Sequence, residues 1–354
     1  MLLLTPFGYL DYPDAVLVWN ALSLLMLSAS LWLIVRAENL SFPGWGIFPL
    51  VTVLLLCNPL RQQVNLGQLN LALLLLFVGI WIAARSERAD LAGILLGLAT
   101  GLKLFPGFLF VYFALRRQWR IVFTGVVTLV LLTVITAMSL GIETYRTYVL
   151  DVLPRNERSQ SGWKNASLSG LWKKLFDPAT AEEHIQPVLR SPAAVQALRV
   201  LSVVGLVALL AYAVRRARTV RQQDQTYGLA VMAMLLLSPI AWDHYFVMLY
   251  LPLALLAVHM PPSRLSQAVF VMLVAVIWVD PELWFPWFIP GGRDGVAMPW
   301  QTLTALSLHC YALVGLFVFS LYSLRHERDL LGVDPIPRAE GVEQPAPASG
   351  MQPV

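Results

Sequence analysis

Apolar residues run along this chain in blocks of bilayer or half-bilayer length, and polar residues sit in short stretches between them. About 20 apolar residues suffice for a helix to cross the hydrocarbon core. The blocks predict about eleven helices, at approximately 15–36, 43–57, 67–84, 91–102, 105–115, 121–141, 196–214, 226–238, 245–259, 265–280 and 301–323. The predicted fold is all-α: a polytopic integral membrane protein whose elements are transmembrane or half-membrane helices.

The basic residues order these blocks. Arg36, Arg85 with Arg88, Arg116–Arg117–Arg120, Arg215–Arg216–Arg218–Arg221, Arg264 and Arg325–Arg328 each follow an odd number of predicted crossings. Excess Lys and Arg mark the cytoplasmic side of a membrane protein. The same rule splits the block Leu91–Leu115 into two half-helices, because a single span would put Arg88 and Arg116 on opposite faces. Pro106 supplies the break, since it removes a backbone donor and clashes with the preceding turn. The other face then receives Met1–Asp14, the loop Asn58–Gln68, Lys103, a long loop at about 142–195, the stretch SPIAWDH (Ser238–His244) and a loop at about 281–300. Residues 1–325 are expected to form one transmembrane domain. The Pro- and Ala-rich segment 326–354 is expected to be a disordered cytoplasmic tail.

Composition agrees with the pattern. Of 354 residues, 58% are hydrophobic and 13% charged, against roughly 25% charged in soluble domains. The net charge of +4 resides in clusters that membrane topology demands, so it implies no nucleic-acid partner. Cys57 and Cys310 lie in or beside apolar runs and form no disulfide or metal framework. The spacing of His184, His259, His309 and His326 suggests no metal cluster, and no cofactor is called for.

Several stretches together resemble glycosyltransferase family 87, the polyprenol-phosphate-mannose-dependent α-mannosyltransferases with the GT-C membrane fold. They are NLGQLNLALLLL (Asn65–Leu76), AGILLGLATGLKLFPGFLF (Ala92–Phe110) followed by RRQWR, YVLDVLP leading to NASLSG (Asn165–Gly170), and LLLSPIAWDHYFVMLYLPL (Leu235–Leu253). The opening MLLLTPFGYLDYPDAVLVWN is similar to the family's entry into its second helix, and the likeness runs from about Met1 to Tyr322. It implies an inverting hexosyltransferase in the bacterial inner membrane. The donor would be a polyprenyl-phosphate sugar, with mannose the expected hexose. A lipid or glycan acceptor would be used at the extracytoplasmic face, with membrane lipids around the enzyme. It also implies a base carboxylate in a first loop that maps to no numbered position here. A first helix and loop are therefore expected ahead of residue 1, and the carboxylates available within the sequence are Asp11, Asp14 and Asp243.

Candidate site residues follow from chemistry at the outer face. Charge at membrane depth is costly and marks function or a watery surrounding. Lys103, a lone cation between two half-helices, is suited to a donor phosphate, or it snorkels to the surface. Arg61 fits the same phosphate, a carboxylate partner or the interface. His244, which the resemblance places in the site, can hydrogen-bond a phosphate or an acceptor hydroxyl. Asp243 can orient it or cap the following helix. Gln68, Asn70 and Asn65 can exchange hydrogen bonds with sugar hydroxyls. Trp242 can stack on a sugar or anchor at the interface. The charged residues of the long loop, Lys164 among them, read most simply as solvated, and Arg293 with Asp294 as a turn. Two other classes share these features: a lipid-linked glycan transporter or flippase, suggested by the broken helices, and an inactive relic of the family.

Overall fold

A computed structural model of the chain describes residues 2–40, 47–154, 159–178, 184–291 and 295–331. Arg155 and Asn156 of the long loop, Arg293, Asp294 and the tail beyond residue 331 lie outside the described residues. All regular structure among the described residues is helical, apart from one isolated bridge between Ile185 and Ala297. Four helices are long and apolar enough to cross a membrane: Tyr12–Ala37, Trp119–Leu140, Pro192–Arg216 and Pro299–His326. The number rises to six if two bent pairs each count as one span. Those pairs are Asn58–Asn65 with Asn70–Arg85, bent by 119°, and Arg264–Trp278 with Pro281–Phe288, bent by 82°. The remaining expected segments include shorter apolar helices, so length and composition do not by themselves give each of them a crossing.

The elements that position the site are α1 (Tyr12–Ala37), α2 (Ile47–Leu56), α3 (Asn58–Asn65), α4 (Asn70–Arg85), α5 (Ala89–Leu102), α6 (Phe108–Leu115) and α7 (Trp119–Leu140). They are followed by α8 (Leu168–Phe176), α9 (Pro192–Arg216), α10 (Val220–Leu237), α11 (Tyr250–His259), α12 (Arg264–Trp278) and α13 (Leu308–Leu331). Side-chain caps start several of them. Ser167 accepts from Gly170 N at α8, Ser191 from Ala194 N at α9, and Thr219 forms a capping box with Gln222 at α10. Each cap satisfies donors that the first turn leaves open. Helix α10 is buried at every position from Gln222 to Leu236 except Gln223, so it is the central post of the bundle. That explains why its stretch from Tyr227 to Leu236 is apolar on all sides, while the polar first turns, Arg221–Thr226, meet partners at the arginine-rich end.

The expected break at Lys103 is present. Lys103 is extended (φ −144°, ψ 144°), and a single 3₁₀ turn at Phe105–Gly107 leads into α6. Packing of α5 on α7 shows where the chain goes next. A Cβ on Gly93 would lie 2.7 Å from the Ile121 carbonyl, and one on Gly97 would lie 2.6 Å from the Gly125 carbonyl. A Cβ on Gly101 would meet Leu132 at 3.1 Å. The register advances in the same direction on both helices, so α5 and α7 are parallel and α6 must return between them. Small residues at spacing four allow this backbone approach, as is common in membrane bundles.

The hairpin brings the arginine clusters to one end of the bundle. There Arg85 pairs with Glu38 at 2.6 Å and Asp224 at 3.3 Å, and Trp81 Nε1 donates to Asp224 at 2.7 Å. Arg120 grips Asp90 through two bonds of 2.6 and 2.7 Å, and Arg116 donates to Gln223 at 2.6 Å. His259 Nε2 lies 3.3 Å from Glu38.

Candidate functional site

Loops meet at the opposite end, and Asn165 holds them together. Its Nδ2 donates to the Gln160 and Pro239 carbonyls at 2.7 and 3.0 Å, and its Oδ1 accepts from Ser167 N and Ala241 N at 3.0 and 2.9 Å. Every donor and acceptor position of the carboxamide is thereby used. Gly170 is required beside it, because a Cβ there would fall 2.5 Å from Asn165 Cγ. The NASLSG stretch is thus a clamp that fixes the long loop against SPIAWDH. Asn165 is fully buried, which excludes it as a surface glycan acceptor.

The clamp delivers Lys164 to Asp243. Asp243 is 2% exposed and opens the short 3₁₀ helix Asp243–Leu249 that leads into α11; Trp242, not Asp243, holds the cap position. Its Oδ2 accepts from Asn58 Nδ2 at 3.1 Å and faces Lys164 Nζ at 3.5 Å. His309 Nδ1 approaches Oδ1 at 3.6 Å, an ion-pair distance rather than a hydrogen bond. Lys164 also meets Glu282 at 2.8 Å and Asp280 at 3.5 Å, while Asp280 takes Arg61 at 2.7 Å. Burial opposes the charge on Asp243, yet the His309 ring, Lys164 and Asn58 outweigh it and hold the carboxyl below the usual range. Burial likewise opposes the Lys164 ammonium, and Glu282, Asp243 and Asp280 together raise it above the ordinary lysine value. Both groups are charged at neutral pH.

This cluster forms one side of a cavity of about 650 Å³, walled by Trp163, Lys164, Trp242, Asp243, His244 and Glu282 among others. His244 is 3% exposed, and its Nε2 has no hydrogen-bond partner among the described residues. Its ring packs edge-on to Tyr245, with centroids 5.0 Å apart. Behind that wall, Lys103 Nζ donates to Asn70 Oδ1 at 2.8 Å and Gln68 Oε1 at 3.4 Å, and lies 4.5 Å over the Tyr245 ring. Asn70 in turn donates to Gln63 Oε1 and to the His244 carbonyl, both at 3.0 Å. Gln63 closes the loop by donating to the Gln68 carbonyl.

The structure therefore gathers Lys103, Gln68, Asn70, Trp242, Asp243 and His244 around one wall. Arg61 belongs to the carboxylate side, bound to Asp280 and, at 3.1 Å, to Asn58. Asn65 is exposed and lines a second hollow of about 340 Å³ beside Trp19, touching the first only through the shared Leu66. Asp11 and Asp14 are exposed at the start of α1, and neither lines the main cavity. Sequence reasoning missed Lys164, Asp280, Glu282 and His309. The solvated-loop reading fails for Lys164 because the Asn165 clamp pulls it inward. A signal existed for two of them: Asp280 and Glu282 directly follow an apolar segment at the face where the other polar residues gather. Among the described residues no group of three His, Cys, Asp or Glu is arranged to hold a metal ion.

A helical membrane protein with a charged, tryptophan-walled cavity at one end of its bundle is the class that fold and site define. The chain belongs to glycosyltransferase family 87, whose profile matches residues 1–239. It is 29% identical, over 66% of its length, to a polyprenol-phosphate-mannose-dependent α-(1-2)-phosphatidylinositol pentamannoside mannosyltransferase of Mycolicibacterium smegmatis. It is 24% identical, over 90% of its length, to the α-(1-2)-phosphatidylinositol mannoside mannosyltransferase of the same organism. The match spans 56% of the first relative and 73% of the second. A Mycobacterium tuberculosis relative named like the first is 28% identical over 66% of this chain and 53% of its own length. No solved structure matches.

Proposed function

We propose that this protein is an inverting mannosyltransferase that moves mannose from a polyprenyl-phosphate donor to a lipid-borne acceptor. Three things support the reading: the family, the names of the relatives and the cavity. The observation that carries it is the cavity wall, where Lys164 and His244 line the space, His244 Nε2 lacks a partner among the described residues and Lys103 stands behind them on Asn70. In the transfer, an acceptor hydroxyl attacks the anomeric carbon and the bond from that carbon to the phosphate oxygen breaks. Polyprenyl phosphate leaves with the electron pair, and the hydroxyl proton passes to a base. Fixed cations stabilise the charge that grows on the leaving phosphate. Lys103 is the cation for that phosphate, and Arg61 reaches it only by releasing Asp280. His244 contacts the reacting oxygen, and Asp243 holds Lys164 in place. Gln68 binds sugar hydroxyls and Trp242 a sugar face, while Asn70, fully buried with its amide engaged by Gln63, the His244 carbonyl and Lys103, holds Lys103 in place rather than meeting the sugar.

In this reading the cavity opens at the extracytoplasmic face of the bacterial plasma membrane. The arginine-rich end and the C-terminus are cytoplasmic, and the eleven segments complete a GT-C-like bundle. The relatives' names point to a mannosylated phosphatidylinositol as the acceptor class. The test is purified protein in liposomes with radiolabelled polyprenyl-phosphate mannose and such an acceptor. Labelled, chain-extended acceptor with the new bond in the α configuration supports the proposal. Absence of transfer with every polyprenyl-phosphate sugar tried, by protein that is folded, overturns it.

A further inference from the structure

Lys174 has no part in the transfer chemistry, yet it is fully buried, at 0% exposure. It lies on α8, and its ammonium donates to three backbone carbonyls: Leu306 at 2.8 Å, Asn165 at 3.1 Å and Trp163 at 3.5 Å. An ammonium carries three N–H donors and no acceptor, so backbone carbonyls are partners it can serve in a buried setting. The carbonyls belong to the two segments that carry Lys164 and His309, which face Asp243. Trp163 and Asn165 flank Lys164 in sequence, and Leu306 stands three residues before His309. Lys164 and His309 approach Asp243 at 3.5 and 3.6 Å, each on a different carboxylate oxygen.

We infer that Lys174 is a positioning residue, whose buried ammonium fixes the Trp163–Asn165 segment against the turn before α13 and so sets Lys164 and His309 about Asp243. The inference rests on the cavity being the transfer site. A neutral side chain of similar length would leave carbonyls without a donor in a dry interior, where such groups are costly. The two segments would then move apart. Displacements of about 1 Å at a reacting centre cost on the order of 100-fold in rate.

The test uses the full chain in liposomes with Lys174→Ala, Lys174→Met and Lys174→Arg. Lys174→Ala is expected to lower kcat by about 10- to 100-fold with little change in the donor KM. Propylammonium chloride, which refills the space with a charged donor, is expected to restore much of the rate. Propanol and sodium chloride are expected not to. Lys174→Arg, which keeps the charge, is expected to retain more activity than Lys174→Met. A second readout needs no activity: a Lys164→Cys protein is labelled with a water-soluble thiol reagent, with and without Lys174→Met. A changed labelling rate at position 164 supports positioning even if no donor is ever turned over, which separates this inference from the transfer reading. Unchanged kcat and unchanged labelling overturn it. So does a loss of rate in Lys174→Ala that propylammonium and propanol restore equally, because the charge would then not matter. Should Lys174→Ala fail to fold, the comparison of Lys174→Arg with Lys174→Met decides, and equal activity in those two overturns it.

Discussion

The two ends of the bundle each bury an ionic network, but they differ in what those charges face. A hollow of about 380 Å³ at the arginine-rich end is lined by Glu87, Arg117 and Arg120 rather than by the buried network there, whereas at the other end the networked charges themselves line a cavity. At the arginine-rich end, Glu38, Arg85, Asp224, Trp81 and His259 pack against one another and tie the ends of α1, α4, α10 and α11 together. At the other end, Arg61, Asp280, Lys164, Glu282 and Asp243 form a comparable chain of charges, and Lys164, Asp243 and Glu282 of that chain line a space of about 650 Å³. Buried charge alone therefore does not mark a site in this protein. An unpartnered nitrogen does not mark it either, since His259 in the closed network also has ring nitrogens without a hydrogen-bond partner among the described residues; open volume lined by the networked charges is what distinguishes the two. The closed network fastens helices, and the open one has room for a substrate.

Four perturbations sharpen this contrast. The largest effect is expected from Asp243→Asn, which keeps the shape and removes the charge that holds Lys164. Transfer should fall by about 10²–10³-fold, the range seen when one stabilising group of a reacting centre is lost. Steady-state assays in liposomes would read it. Arg85→Met is expected to cost stability instead, about 3 kcal/mol, because it strands Glu38 and Asp224 without their cation. Thermal unfolding in detergent would show the loss, while activity per folded molecule stays near the wild-type level. If the mutant were instead fully stable but inactive, the division between the two ends would be wrong.

The third perturbation is pH. Lys164 is held above the ordinary lysine value, so its contribution is complete below the unfolded lysine pKa and is lost as pH rises through the raised folded value. Asp243 is held low, so its contribution is present above the unfolded aspartate pKa and is lost as pH falls through the lowered folded value. The pair is thus intact throughout the neutral range. Any change in kcat between about pH 6 and 8 should survive in Lys164→Arg, since it reports other groups. The smallest effect is expected from Asn65→Ala. That residue is exposed at the second hollow, and transfer should change by less than about twofold.

Much of the architecture was legible because charge and apolar length are strong signals in a membrane protein. The positive-inside argument split Leu91–Leu115 at Lys103, and the parallel register of α5 on α7 requires that return. The grouping of Lys103, Gln68, Asn70, Trp242, Asp243 and His244 also followed, since each was assigned to the same face. What sequence could not supply was contact between distant loops. Lys164 is 79 positions from Asp243 and 116 from Asp280 (243 − 164 and 280 − 164), and Asn58 is 185 from Asp243. No local pattern encodes such pairings; they come from how α3, α12 and α13 pack. Arg61 shows the same limit: its chemistry suits a phosphate or a carboxylate, and only the fold puts Asp280 at 2.7 Å. The number of crossings was similarly beyond reach, because bends of 119° and 82° turn apparent spans into pairs of shorter helices.

The most direct test is a side-by-side transfer assay of wild-type, Asp243→Asn and Arg85→Met proteins in liposomes, normalised to folded protein. The donor would be polyprenyl-phosphate mannose and the acceptor a mannosylated phosphatidylinositol. Transfer by wild-type and Arg85→Met protein, with loss in Asp243→Asn, is the expected result. Equal rates in all three, or a loss in Arg85→Met as deep as in Asp243→Asn, would contradict the assignment of chemistry to the cavity end.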